Sequence, residues 1–188
     1  HGMPRPDYLE RIIAGARWFD LPQAWIANLA AIEQVRPGRH WDEPHMAAVN
    51  VITAGLVELG LLQGKLPQLV KQGAYREFFM HRTGHWLGMD VHDCGSYVEP
   101  GEAARGTPRR DPLSGETIND RPSRILRPGM VTTIEPGLYV RAADDVPQAF
   151  WNLGIRIEDD AVITPQGCEL ITRDVPVDPV AIEALMQA

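Results

Sequence analysis

Cysteine is close to absent. Cys94 and Cys168 stand far apart and in no metal-type spacing. Two thiols are a poor disulfide framework for 188 residues, which points to a reducing, cytoplasmic setting. No apolar run approaches the roughly 20 residues that span a bilayer, and no signal-peptide pattern opens the chain. A positive surplus is lacking as well: 18 Lys and Arg face 25 Asp and Glu, for a net charge of −7. Nucleic acids and anionic membranes bind surfaces of the opposite sign, so neither is an expected partner. There is no internal repeat and no low-complexity tract. What remains is the make-up of a folded domain, 44% apolar with five tryptophans, and long enough to close a core.

The first half has helical periodicity. "DYLERIIAGARWF" places Leu9, Ile12, Ile13 and Ala16 on one face, with Gly15 weakening it. "LPQAWIANLAAIEQVRPG" has proline near its start, a Pro-Gly stop, and a stripe of Trp25, Leu29 and Ile32. "WDEPHMAAVNVITAGLVELGLLQG" offers Asp42 as N-cap and Pro44 in the first turn, with Met46, Val49, Ile52 and Leu56 as its apolar face. The second half changes period. "GMVTTIEPGLYV" and "LGIRIEDDAVIT" are rich in β-branched residues and bounded by turn residues, so strands are expected. Residues 98–124 mix glycine, proline and both charges without periodicity and are expected to be a long loop. Helices first and an antiparallel sheet after make an α+β architecture.

Three of the six histidines and two aspartates crowd into "FFMHRTGHWLGMDVHDCG". Gly84, Gly88 and Gly95 argue against a helix there. His81 and His85 therefore do not form the zinc-helix motif, which would also want glutamate where Arg82 stands. In "GIRIEDD", side chains alternate along a strand, so Arg156 and Glu158 share a face opposite Ile155 and Ile157. On spacing alone a surface ion pair accounts for that as well as a site does. Glu135 precedes Pro-Gly at the end of a strand. Histidine combined with two strand-borne glutamates is a mixed nitrogen and oxygen donor set suited to manganese, cobalt or zinc. The remaining histidines could stabilise charge or move protons near neutral pH.

"HWLGMDVHD", "TTIEPGLYV" and "GIRIEDDAVIT" together resemble the C-terminal motifs of the pita-bread metallopeptidases. The similarity is greatest to the Xaa-Pro aminopeptidases, with prolidase next, and runs from about Trp25 to the end. The resemblance implies a curved antiparallel sheet backed by helices and a cleft holding two divalent ions, usually manganese, with cobalt or zinc as substitutes. It implies His85 and Glu135 as metal ligands and Glu158 as the carboxylate bridging both ions. His81 and His92 would line the substrate pocket, His92 hydrogen-bonding the scissile peptide, and Arg156 would support ligand geometry. The substrate implied is a peptide with proline second, and relatives often form dimers or tetramers.

Two further aspartate ligands of that family come from a "D-x-G" turn and a "D-x-T-R-T" strand upstream of the helix that here begins near Leu21, and neither pattern occurs there. Residues 1–20 are therefore expected to be a tag remnant ("HGM") plus a helix unmatched to the family, and residues 21–188 the C-terminal part of the catalytic domain. Three donors without the aspartates are expected to hold one ion weakly, leaving peptidase activity weak or absent in this polypeptide alone. The alternatives are a metal-free binding or scaffold module, and a dipeptide-specific prolidase.

Overall fold

Segments far apart in sequence run side by side in one antiparallel array. The computed structural model describes residues 20–101, 107–110, 117–120, 123–176 and 178–187; the helix expected over Asp7–Phe19 lies outside them. Helix α1 (Asp20–Ile32) packs on α2 (Asp42–Glu58), and a short α3 (Leu66–Gln72) follows. α3 starts on Pro67 and stops at Gly73, whose φ of 71° is the left-handed cap conformation glycine adopts freely. Among the described residues the strands that follow are β1 (Thr107–Arg110), β2 (Thr117–Asp120), β3 (Val131–Ile134), β4 (Gly137–Val140), β5 (Leu153–Arg156), β6 (Asp159–Ile163) and β7 (Cys168–Leu170). Helix α4 (Pro179–Met186) closes the chain, N-capped by the Asp178 side chain.

The strand pairing explains how the sheet is organised. β3 pairs with β6 from Val131↔Val162 to Ile134↔Asp159, and β4 with β5 from Gly137↔Arg156 to Val140↔Leu153. The register is continuous across the interval, so Glu135 and Glu158 stand opposite each other in one long ribbon. Pro136 has no N–H to give to the ladder there, although its carbonyl still accepts from Ile157 N at 3.3 Å. β7 extends the ribbon beyond β6. On the other edge, residues 78–87 run as an irregular strap hydrogen-bonded to β3 and β4. Phe78 O accepts from Tyr139 N (2.8 Å), Thr83 O from Glu135 N (2.6 Å) and His85 O from Thr133 N (3.0 Å), while Leu87 N donates to Val131 O (3.2 Å).

The core lies between the helices and this sheet, with Ile52, Leu56, Phe79, Leu126, Ile134 and Ile163 fully buried. Each such side chain stabilises the fold by roughly 1.5–3 kcal/mol. α1 turns Ala24, Ala27, Asn28 and Ala31 inward, not the expected stripe; Trp25 and Ile32 are half-buried and Leu29 exposed. Small residues win because the helices pass closely: Gly55 of α2 leaves no room for a Cβ beside Gln23. Met46 likewise faces solvent, while Val49, Ile52 and Leu56 form the buried face of α2 with Ala48. Asp42 is the first helical residue and not the cap; Trp41 takes that place, and the Asp42 carboxylate pairs with Arg82.

Residues 98–124 are not loop throughout. β1 and β2 form a hairpin within them, and Val98 bridges Ser123. Backbone pairing carries that hairpin without any apolar alternation, which is why periodicity overlooked it. Pro108 in β1 is tolerated because this two-stranded sheet consists of edges. Among the described residues no helix is long and apolar enough to cross a membrane.

Candidate metal centre

The strap and the long ribbon meet at His85, Glu135 and Glu158. Each offers a ligand atom, and the three atoms lie within 4.8 Å of one another. Two of the donors follow from register: side chains directly opposite in an antiparallel pair share a face at close range. The third is delivered by the strap, which passes so near β3 that a Cβ on Gly84 would run into the Thr133 carbonyl oxygen. Glycine at 84 is what lets His85 reach the carboxylates.

Hydrogen bonds prepare each donor. His85 Nδ1 lies 3.0 Å from the Trp86 carbonyl oxygen. A carbonyl only accepts, so Nδ1 carries the hydrogen, and the neutral ring presents its lone pair at Nε2. That lone pair faces Glu135 Oε1 at 3.2 Å. Two acceptors face to face, with a second carboxylate opposite, form an arrangement that a cation between them satisfies. Burial raises the Glu158 carboxyl above the usual range, and Glu135 and Asp160 push the same way against Arg156 and His85. One imidazole and two carboxylates fit a divalent ion of the manganese, cobalt or zinc kind. Three protein donors with an open position match catalytic sites better than closed structural ones.

Around these donors lies a second network. Arg156 Nη1 donates to Glu135 Oε2 at 2.9 Å, and Arg156 Nε donates to the Tyr139 hydroxyl at 2.8 Å. His81 Nδ1 donates to the Arg82 carbonyl at 2.7 Å, leaving Nε2 to accept from the Tyr139 O–H at 3.1 Å. The Tyr139 hydrogen bond, reinforced by Glu135 and Glu158, raises the Arg156 guanidinium further above its ordinary value. His92 stacks on His85 with ring centroids 3.9 Å apart. Both histidines, with His81, Arg156 and Glu135, line an open cleft of about 590 Å³.

Several participants escaped motif reading. Tyr139 stands four residues after Glu135 on the same face of the strand, and its ring lies over Gly137, where a Cβ would meet the hydroxyl at 2.6 Å. The signal is in "EPGLY": alternation with a glycine making room. His45 is buried in α2 and hydrogen-bonds Thr83 Oγ1 of the strap at 2.9 Å. Burial holds its pKa down to about 3. Asp159, 1% exposed beside Glu158, is met by Arg173 at 2.8 Å. Nothing local in the sequence marks those two.

A family model, Metallopeptidase family M24, matches residues 23–165. The chain belongs to that family. Such a metallopeptidase chain implies a divalent metal, for which the three donors described above are suited. Escherichia coli Xaa-Pro aminopeptidase is 45% identical over 153 residues, covering 81% of this chain and 30% of that protein. Homo sapiens Xaa-Pro dipeptidase is 34% identical over 163 residues, covering 78% of this chain and 31% of its own. Pseudomonas aeruginosa aminopeptidase PepP superposes with a TM-score of 0.77 at 44% identity, covering 90% of this chain and 34% of the other. Escherichia coli aminopeptidase P with the inhibitor Pro-Leu gives 0.75 at 40%, covering 90% and 34%. The metallopeptidase chain thus has the pita-bread α+β fold and spans about a third of the length of these relatives.

Proposed function

We propose that this chain carries the metal-binding wall of an Xaa-Pro aminopeptidase cleft, acting on peptides whose second residue is proline. In this reading His85, Glu135 and Glu158 hold the ion, and manganese is the metal of choice. The observation that carries the reading is the His85 lone pair aimed at Glu135, with Glu158 opposite, inside an open cleft. A bound divalent ion would supply Lewis-acid polarisation of the scissile carbonyl and lower the pKa of water.

The chain's own residues do the rest. Arg156 holds the outer oxygen of Glu135 and is itself held by Tyr139 and His81. In this reading His92, exposed in the cleft, hydrogen-bonds the peptide. His81 spends both ring nitrogens on neighbours, so it orients the arginine while lining the pocket. The catalytic unit spans residues 21–188, works in a reducing cytoplasmic compartment, and self-associates; the free thiols of Cys94 and Cys168 support the compartment.

The test is ion-dependent binding of Pro-Leu, read by calorimetry with and without Mn2+, together with release of the first residue from an Xaa-Pro tripeptide. Pro-Leu binding that requires Mn2+, with slow or no turnover by this polypeptide alone, is expected. Absence of Mn2+ binding, or Pro-Leu binding indifferent to it, overturns the reading. Cleavage of an Xaa-Pro dipeptide but no tripeptide would reassign the chain to the dipeptidase branch represented by the human relative.

A further inference from the structure

We propose that Thr133 is the positioning residue that presents Glu135 to the ion. The inference rests on the metal-centre reading above and adds a residue to it. Thr133 is 3% exposed and lies two residues before Glu135, so the two side chains share a strand face. Its Oγ1 accepts the His85 backbone N–H at 3.0 Å and donates to Glu135 Oε1 at 3.0 Å. Its own N–H donates to the His85 carbonyl at 3.0 Å. One hydroxyl therefore joins the strap that carries the imidazole to the carboxylate facing that imidazole.

The direction of the hydroxyl hydrogen follows from its partners. A hydroxyl has one donor and two acceptor lone pairs. An N–H cannot accept, so the hydrogen points at the carboxylate. Glu135 is then tied at both ends, with Oε2 held by Arg156 Nη1 at 2.9 Å and Oε1 by Thr133. The lone pair of Oε1 left over lies on the side of His85 Nε2, 3.2 Å away, where the ion would be held. Changing a partner that orients a ligand in this way typically costs about 10- to 100-fold in metal affinity.

The experiment titrates the 188-residue chain with Mn2+ by calorimetry at neutral pH, in wild type and in Thr133→Val, Thr133→Ser and Glu135→Gln. Valine keeps the branched shape and removes the hydroxyl; serine keeps the hydroxyl. Thr133→Val is expected to weaken Mn2+ binding by about 10- to 100-fold, with Thr133→Ser staying within about threefold of wild type. Urea midpoints measured without Mn2+ separate this from a merely structural role, which would lower the midpoint and leave the affinity of folded protein unchanged. Should Thr133→Val not fold, Thr133→Ala carries the same expectation. Wild-type affinity in a folded hydroxyl-free variant overturns the proposal, as does a serine variant as weak as valine. No binding by wild type, or Glu135→Gln binding normally, overturns the metal-centre reading and this inference with it.

Discussion

Gly84 carries a constraint that no other residue type can meet. Its missing Cβ is the space through which the strap approaches the Thr133 carbonyl. Gly84→Ala is expected to push the strap off β3, abolish ion binding and cost roughly 1–3 kcal/mol of stability by urea unfolding. His45 supports the same strap from behind, and its burial has a pH signature. Arg82, Asp42, His81 and Arg76 are the charged groups that act on it; Arg82 opposes its protonation and Asp42 favours it. The folded pKa is about 3 against an ordinary 6.5, so the unfolded chain takes up the proton first. The stability held above pH 6.5 is lost progressively as pH falls toward 3. The unfolding free energy from urea titration should drop by about 2 kcal/mol between pH 7 and pH 5, and His45→Gln should flatten that slope. At this scale the motifs pointed to His81, His85, His92, Glu135 and Arg156, which line one cleft, and to Glu158, which joins His85 and Glu135 in the donor cluster. Thr83, Thr133 and Tyr139 stayed hidden because a hydroxyl in a strand looks the same whether or not it has a partner.

Among elements, the α1–α2 pair shows where periodicity misleads. Spacing favoured the large residues Trp25, Leu29 and Ile32, yet close helix approach selects Ala24, Ala27 and Ala31. Ala27→Leu is therefore expected to destabilise by roughly 1–3 kcal/mol, read as a lower urea midpoint. An equal enlargement at exposed Leu29 should do little. Both ribbon strands were legible because β-branched residues and a Pro-Gly signal mark them; the β1–β2 hairpin had neither mark. β6 is anchored from the C-terminal side, where Asp159 accepts from Arg173 and from Thr172 Oγ1. Arg173→Met would leave a buried carboxylate without its cation, and a loss of roughly 3 kcal/mol is expected. Such a contact between residues 14 apart has no periodic trace.

For the molecule as a whole, element order made the α+β class legible, and the ordered motifs pointed to the family. What they could not carry is the surface. Ile171, Val175, Val180, Leu185 and Met186 are all more than half exposed near the C-terminal end. Large apolar side chains exposed in this number favour burial against another surface, so self-association is expected. Light scattering at micromolar concentration is expected to give at least a dimer, and a clean monomer would refute it. The continuous pairing from Val131↔Val162 to Val140↔Leu153 also has a practical side for anyone rebuilding this polypeptide. Asp144 and Asp145 lie exposed in the connection joining β4 to β5, and extra residues spliced in there would leave both glutamates where they are. One residue added between Thr133 and Glu135 would swing the acid to the reverse side of the sheet.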